Sequence, residues 1–192
     1  DNGTGKDTLR VWFERAGWFH VNDHPAALAE LKHARKQAGR ARLPAYLRYC
    51  QTCAGVAGDS SMPRVSVRYW PSTLAGGYAD QLIGAEELDA MLEDCRRHLP
   101  NPDGVIELRC DFDERVQRIL RRLPEPFGHA DSLDPERARR HRVALERIAS
   151  RWDRPWLVID TTSQTPGQVF ETARAWVAAL QRGATDHEAV TI

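Results

Sequence analysis

The first residues of the chain place two glycines and a lysine directly before a helical pattern. Gly3 and Gly5 are separated by one residue, and Lys6 follows them. Glycines allow successive backbone N–H groups to turn toward one point, and a helix N-terminus presents unpaired donors and partial positive charge to an anion. Lysine adds a mobile cation that can follow a phosphoryl group. The segment therefore predicts a phosphate-binding loop, the end of a G-x-x-x-x-G-K-[ST] motif; the alternative is a glycine-rich turn that caps a surface helix.

The segment departs from this motif in two ways. The first glycine of the motif would lie before Asp1, so we expect the strand that feeds the loop to lie upstream of residue 1. Asp7 stands where Ser or Thr normally binds Mg²⁺, and a carboxylate is also a hard oxygen ligand. The neighbouring Thr8 offers a hydroxyl for the same purpose. The predicted phosphate-binding residues are Asn2, Gly3, Thr4, Gly5, Lys6, Asp7 and Thr8, with Asp7 or Thr8 as magnesium ligand.

Composition is typical of a globular protein with one domain, residues 1–192. Apolar residues make up 42% and charged residues 28% of the chain, and the formal net charge is zero. This balance favours neither a nucleic-acid polymer nor an anionic membrane as a partner. No apolar run reaches the roughly 18 residues that a membrane span requires, so we expect a cytoplasmic protein. The four cysteines are predicted to be buried thiols, with redox or metal chemistry at the C-x-x-C of Cys50 and Cys53 as the alternative.

Strand and helix patterns alternate along the chain. Alternation of this kind implies right-handed crossovers and a parallel sheet covered on both faces. The sequence thus predicts an α/β fold of three layers, with a central parallel sheet of about five strands flanked by helices. Strands are predicted at residues 18–21, 65–69, 105–110 and 156–159, helices at 8–16, 25–38, 43–57, 86–98, 113–122, 135–151 and 167–180, and a loop at 123–134.

Three segments between residues 65 and 160 resemble the thymidylate kinase family. Residues 65–75 include Val67-Arg68-Tyr69 followed by Ser72-Thr73-Leu74-Ala75, which is similar to that family's strand ending in Asp-Arg-Tyr and its following Ser-x-x-Ala-Tyr. Residues 102–113 resemble the family's next strand, and Leu157-Val158-Ile159-Asp160 resembles its last strand. Together with the phosphate loop, these segments extend the resemblance over almost the whole chain in the family's order, and the resemblance implies a P-loop kinase fold with ATP and Mg²⁺ as cofactors.

The resemblance implies a role for individual residues. Lys6 would hold the donor phosphates of ATP, Arg68 would bind the phosphate of a nucleoside monophosphate, and residues 121–136 would form a lid over the site. The family's relatives also imply a homodimer. The acceptor site is expected at Arg48, Arg68, Tyr69 and Trp70, the lid arginines are Arg121 and Arg122, and Asp111 is a candidate magnesium group.

Some positions differ from the family pattern and leave other functions open. Val67 replaces the aspartate of Asp-Arg-Tyr, and Asn2 replaces an acidic residue of the phosphate loop. The acceptor could therefore be an unusual or modified nucleotide. A deoxynucleoside kinase is the first alternative, which calls for a carboxylate near the acceptor hydroxyl, at Asp23 or Asp59. A catalytically inactive nucleotide-binding module is the second.

Several polar residues have a simpler structural interpretation. Asp113 is predicted to cap a helix that starts at Glu114, and Asp134 or Ser132 to cap the next helix. The arginines of the helix after the lid are expected on a solvated face, with contact to ATP as the alternative; they are Arg137, Arg139, Arg140 and Arg142. Structural or surface roles are expected for His20, His24 and His129.

Overall fold

The computed structural model describes residues 3–58, 63–122 and 133–188, which contain eight α-helices and four β-strands. The helices are α1 (Lys6–Arg15), α2 (Pro25–Arg35), α3 (Arg42–Gly58), α4 (Trp70–Ala79), α5 (Ala85–His98), α6 (Phe112–Arg122), α7 (Pro135–Ala149) and α8 (Pro166–Glu188). The strands are β1 (Phe19–His20), β2 (Arg64–Val65), β3 (Val105–Arg109) and β4 (Trp156–Asp160). Apart from α4, each helix and strand was predicted from the sequence; the largest difference is at the end of α8, which extends to Glu188 where the prediction ends at residue 180.

The strands form two parallel pairs in the described part of the chain. β1 pairs with β2, and β3 pairs with β4 in the register Val105 to Trp156 through Arg109 to Asp160. The single sheet of about five strands is therefore not confirmed. The strand predicted at residues 65–69 already ends at Val65, because Asn22 binds the backbone N–H of Val67 in place of a neighbouring strand.

Two hydrophobic clusters on opposite sides of the strands show the layered arrangement. Side chains alternate along a strand, and β4 accordingly directs Leu157 and Ile159 into a cluster with α1 and α8. Trp156 of the same strand packs into the other cluster, which α2, α3, α4, α5 and α7 form. The strands therefore lie between two helical layers, as expected for an α/β fold.

Helix α4 is the element that the sequence pattern did not predict. It contains Pro71 at its start and the adjacent glycines Gly76 and Gly77, and glycine and proline both disfavour helix interiors. Burial compensates for this: Trp70 and Leu74 have no exposed surface, and Gly77 lies against Leu43, where a Cβ atom would come within 3.1 Å of its methyl groups. Tertiary packing therefore stabilises a helix that local preference would not.

The cysteines agree with the sequence-based expectation of buried thiols. All four cysteines are free and buried. Burial raises the pKa of Cys50 to about 12 and that of Cys95 to about 11, so both are uncharged thiols at neutral pH. Within the described ranges, no helix has both the length and the apolarity to cross a bilayer.

Candidate functional site

The predicted phosphate loop has the backbone conformation that its glycines allow. Gly3 has φ +80° and Gly5 has φ +92°, values that other L-residues rarely adopt. Gly5 is the N-cap of α1 and carries no side chain that could accept hydrogen bonds from the first turn. No side chain at the N-cap therefore satisfies the N–H groups of the first turn of α1, and helix N-termini of this kind are able to bind anions.

The loop is anchored at the carboxyl ends of β3 and β4. The Thr161 hydroxyl, just after β4, lies 3.2 Å from the backbone oxygen of Thr4 and 2.9 Å from that of Arg109 at the end of β3. Gly3 lies directly against α6, because an added Cβ atom would be 2.9 Å from both Cγ and the backbone oxygen of Arg115. Parallel α/β sheets bind ligands at this end of their strands, so the loop occupies the expected position for a binding site.

Lys6 and Asp7 form an ion pair within the first turn of α1. Lys6 Nζ lies 2.9 Å from Asp7 Oδ2, and the Asp7 side chain is 65% exposed. Burial acts to raise the pKa of Asp7, but the Lys6 hydrogen bond and the charges of Lys6, Arg68 and Arg10 outweigh it, so the pKa is lowered. Asp7 is thus an exposed, ionised carboxylate beside the loop, and its hard oxygens fit a Mg²⁺ ion. Thr8 follows in the same turn and is half-buried.

Arg68 approaches this turn from the other strand pair. It lies three residues after β2 and is exposed, and its charge contributes to lowering the pKa of Asp7. In the part of the chain that the structure describes, the Arg68 guanidinium forms no ion pair and no side-chain hydrogen bond. The charge of Arg68 therefore acts on the first turn of α1, and a guanidinium is a suitable group to bind a ligand phosphate.

A buried histidine lies near the loop, in a cavity lined by Thr4, Arg115 and His141 among others. His141 of α7 is 8% exposed, and burial, together with the positive charges of Arg137, Arg68 and Arg115, lowers its pKa to about 3. Arg115 itself is 2% exposed, and its guanidinium lies over the Phe112 ring at 5.1 Å from the centroid. Sequence reasoning missed both residues, because neither belongs to a recognisable motif. The neutral histidine leaves the surrounding arginines as the source of positive charge.

The next turn of α1 carries a cluster of charged residues. The Arg10 guanidinium lies 2.8 Å from Glu14 Oε1, 3.2 Å from Asp23 Oδ2 and 3.4 Å from Nδ1 of His20. His20 Nδ1 is also 2.9 Å from Asp23 Oδ2. Glu14, His20 and Asp23 are close enough to hold a metal ion, but the arginine already supplies the positive charge among them. Arg10 thus contacts Asp23, the predicted candidate base, and its charge also helps to lower the pKa of Asp7.

Four residues predicted to bind the acceptor or the metal make contacts within the protein. Trp70 is completely buried and packs on Trp152 at 5.0 Å between ring centroids, so it cannot stack on a base. Tyr69 is half-buried and donates to the backbone oxygen of Pro100.

Arg48 and Asp111 lie on the surface. Arg48 is on the exposed side of α3, where its guanidinium lies 3.5 Å from Nε2 of His33 on α2. Asp111 is the N-cap of α6, since its Oδ1 accepts from the N–H of Asp113 at 2.9 Å. The prediction that Asp113 caps a helix starting at Glu114 is therefore wrong by two residues, because α6 starts at Phe112 and Asp113 lies inside it.

The lid prediction lies mostly outside the described residues. Asn2, Asp59, His129, residues 123–132 and the side chain of Arg122 are not among them, and Arg121 is exposed near the end of α6. Asp134 caps α7, as predicted, by accepting from the N–H of Glu136 at 2.9 Å. The arginines of α7 mostly bind neighbouring protein groups: Arg137 pairs with Asp80, Arg139 with Glu136, and Arg140 donates to the backbone oxygen of Ala79.

Comparisons with known proteins concern the fold. No protein-family model matches the chain, and no curated protein matches it. Among solved structures, the chain is similar to the deoxyadenosine kinase of M. mycoides with the products dCMP and a flexible dCDP bound, at a TM-score of 0.64 and 16% identity. It is also similar to that kinase with dCTP bound (0.61, 14%) and with dATP bound (0.58, 15%). Each similarity covers 93% of this chain and 96% of the other. The chain therefore has the fold of these deoxyadenosine kinases, a P-loop nucleoside kinase fold, and these three structures do not support the thymidylate kinase assignment.

Proposed function

We propose that this protein transfers a phosphoryl group from ATP to a nucleoside monophosphate. The observation that supports this most is the position of Arg68, which is exposed and close enough to the first turn of α1 to lower the pKa of Asp7. A donor site at Gly3–Lys6 and an acceptor phosphate at Arg68 would then meet in one cleft. The fold, similar to that of solved deoxyadenosine kinases, adds support at the level of architecture.

Each residue of the cleft has a defined part in this reaction. The N–H groups of the loop and Lys6 bind the donor phosphates, while Arg68 binds the acceptor and the transferring group with its planar fork. Asp7 would hold Mg²⁺, which supplies charge neutralisation between the phosphates when bound. Phosphoryl transfer depends mainly on positioning and electrostatic stabilisation. An acceptor phosphate is already ionised and needs no strong base.

A deoxynucleoside acceptor is the second candidate, because the similar solved structures are deoxyadenosine kinases. A hydroxyl acceptor calls for a carboxylate that accepts its proton. Asp23 is the candidate among the described residues. Its carboxylate is 61% exposed, and Arg10 links it to the surroundings of Asp7. Because Arg10 and His20 both contact Asp23, this carboxylate would have to exchange a protein partner for the substrate.

Acceptor-dependent ADP release separates these functions. We would measure it with a panel of nucleoside monophosphates and nucleosides for the wild type, Lys6→Ala and Arg68→Ala. Removing one group that stabilises developing charge typically costs about 100-fold or more in kcat, so Lys6→Ala should lower turnover of every acceptor by that order. Arg68→Ala should affect monophosphates more than nucleosides. Arg174→Ala is a matched control, since Arg174 pairs with Glu171 on the exposed surface of α8.

The outcomes are distinct. Unchanged turnover in Lys6→Ala would disprove the donor site. Turnover of nucleosides alone, with sensitivity to Asp23→Asn, would favour the deoxynucleoside kinase. ATP binding without ADP release for any acceptor would indicate an inactive nucleotide-binding module.

A further inference from the structure

The side chain of Asn22 is buried at the point where β1 ends and a one-turn 3-10 helix begins. Asn22 is 7% exposed and lies in the helix Val21–Asp23. Its Oδ1 accepts from the Val67 backbone N–H at 2.8 Å and lies 3.1 Å from the Ser66 hydroxyl. Its Nδ2 donates to the backbone oxygen of Arg68 at 3.2 Å and to the Tyr49 hydroxyl. One amide group thus uses both its acceptor and its donors, mostly on residues 66–68.

Residues 66–68 need such an anchor because they have left the sheet. β2 ends at Val65, so the ladder of strand hydrogen bonds does not continue through this segment. The Arg68 side chain is exposed, and the apolar side chain of Val67 offers no polar contact of its own. The position of Arg68 is therefore determined through its backbone. Asn22 contacts that backbone on both sides of the Val67–Arg68 peptide, at the N–H before it and the carbonyl after it.

We propose that Asn22 is a positioning residue for Arg68. It fixes the backbone from which the guanidinium extends into the cleft, so that less ordering is needed when an acceptor phosphate binds. This inference rests on the proposed role of Arg68. An asparagine suits the task because a single short amide supplies an acceptor and two donors. Aspartate would retain only the acceptor, and leucine would retain neither.

Amide hydrogen exchange tests the anchor without requiring activity. The exchange of the Val67 N–H would be measured by NMR in the wild type, Asn22→Leu, Asn22→Asp and Thr73→Val. The Thr73 hydroxyl lies 3.6 Å from the Cys50 sulfur in the same core and forms no hydrogen bond with residues 66–68 in the described structure. Exchange of Val67 should accelerate at least about tenfold in Asn22→Leu, the change expected from loss of one buried hydrogen bond. It should stay close to the wild-type rate in Thr73→Val and, because the acceptor oxygen is kept, change less in Asn22→Asp.

A double-mutant cycle tests whether Asn22 acts through Arg68. Asn22→Leu should lower the acceptor kcat/KM about tenfold, comparable to one hydrogen bond, and leave ATP affinity within about twofold. In the Arg68→Ala background, Asn22→Leu should have no further effect on the acceptor, because residues that act as a unit are not additive. A purely structural role would give additive losses and would lower ATP affinity as well.

Each result decides the proposal. Additive losses, an equal loss of ATP affinity, or unchanged Val67 exchange in Asn22→Leu would overturn it. If Asn22→Leu does not fold, the same cycle is measured with Asn22→Asp. Asn22→Asp should then lower the acceptor kcat/KM by less than tenfold in the otherwise wild-type protein, and it should not lower it further in the Arg68→Ala background. If the wild type phosphorylates no acceptor, the proposed function fails, whereas the Val67 exchange rates alone still support or overturn the anchor.

Discussion

Gly3 and Gly5 both have positive φ angles, but their surroundings differ. An added Cβ atom at Gly5 would meet nothing within 4 Å. At Gly3 it would lie 2.9 Å from Cγ and from the backbone oxygen of Arg115, and 3.1 Å from Cγ1 of Ile119. Alanine at Gly5 therefore changes the backbone preference alone, while alanine at Gly3 also forces the loop away from α6. The two substitutions form a matched pair that measures the packing of the loop.

The expected magnitudes follow from these contacts. A non-glycine residue in the left-handed region costs about 1–2 kcal/mol, which is the loss of unfolding free energy expected for Gly5→Ala. Overpacking a filled site typically costs about 1–3 kcal/mol more. Gly3→Ala should carry this additional loss, because Arg115 is 2% exposed and cannot swing into solvent, and its backbone oxygen belongs to α6.

Urea unfolding, followed by tryptophan fluorescence, measures both losses. The midpoint should fall further for Gly3→Ala than for Gly5→Ala, with similar m-values. ATP affinity, measured in parallel, should fall for both, because each change disturbs the N–H groups at the start of α1. Equal midpoints for the two variants would refute the close packing of Gly3 against α6, and with it the anchoring of the loop described above.

Two further predictions concern pH and packing. Burial lowers the pKa of His141 to about 3 in the folded protein, whereas an unfolded histidine has a pKa near 6.5. The unfolded state therefore binds more protons, and lowering the pH from about 6.5 should reduce the free energy of unfolding by up to about 1.4 kcal/mol per pH unit. Urea titrations at several pH values should show a weaker pH dependence in His141→Gln. An unchanged pH dependence in this variant would contradict the prediction. Gly104→Ala would bring a Cβ atom to 2.5 Å from Trp176 and 2.8 Å from Leu180, so thermal unfolding should show a free energy of unfolding that is lower by about 1–3 kcal/mol. An added Cβ atom at Gly55 of α3 would meet nothing within 4 Å, so Gly55→Ala should leave the free energy of unfolding unchanged.

The sequence predicted those elements that local patterns specify. One apolar face located α1, and Asp134, one of two predicted caps, marked the start of α7. Alternation of strands and helices predicted the layered α/β fold. Helix α4 was missed because its proline and glycines oppose a helix locally, and only burial of Trp70 and Leu74 in the core stabilises it.

The candidate site was predictable where one short segment contains all the required residues. Gly3, Gly5 and Lys6 are adjacent in the chain, so their composition alone indicates an anion-binding turn. Motif resemblance was less reliable for single side chains. Trp70 follows Arg68 by two residues, yet it turns into the core, and Asp111 caps a helix. Whether a polar or aromatic side chain near a motif faces the cleft depends on the packing of the helix that follows.

By itself, then, the sequence determined the glycine turn before α1 and the succession of elements, because turn conformation, helix caps and periodicity are properties of neighbouring residues. Only the tertiary structure brought Arg68 to Asp7, placed Arg115 under Gly3 and enclosed His141 among arginines. Only it assigned Asn22 to residues 66–68. These contacts join residues that are tens of positions apart, and they arise from how the helical layers pack on the strands, which no local pattern of the chain encodes.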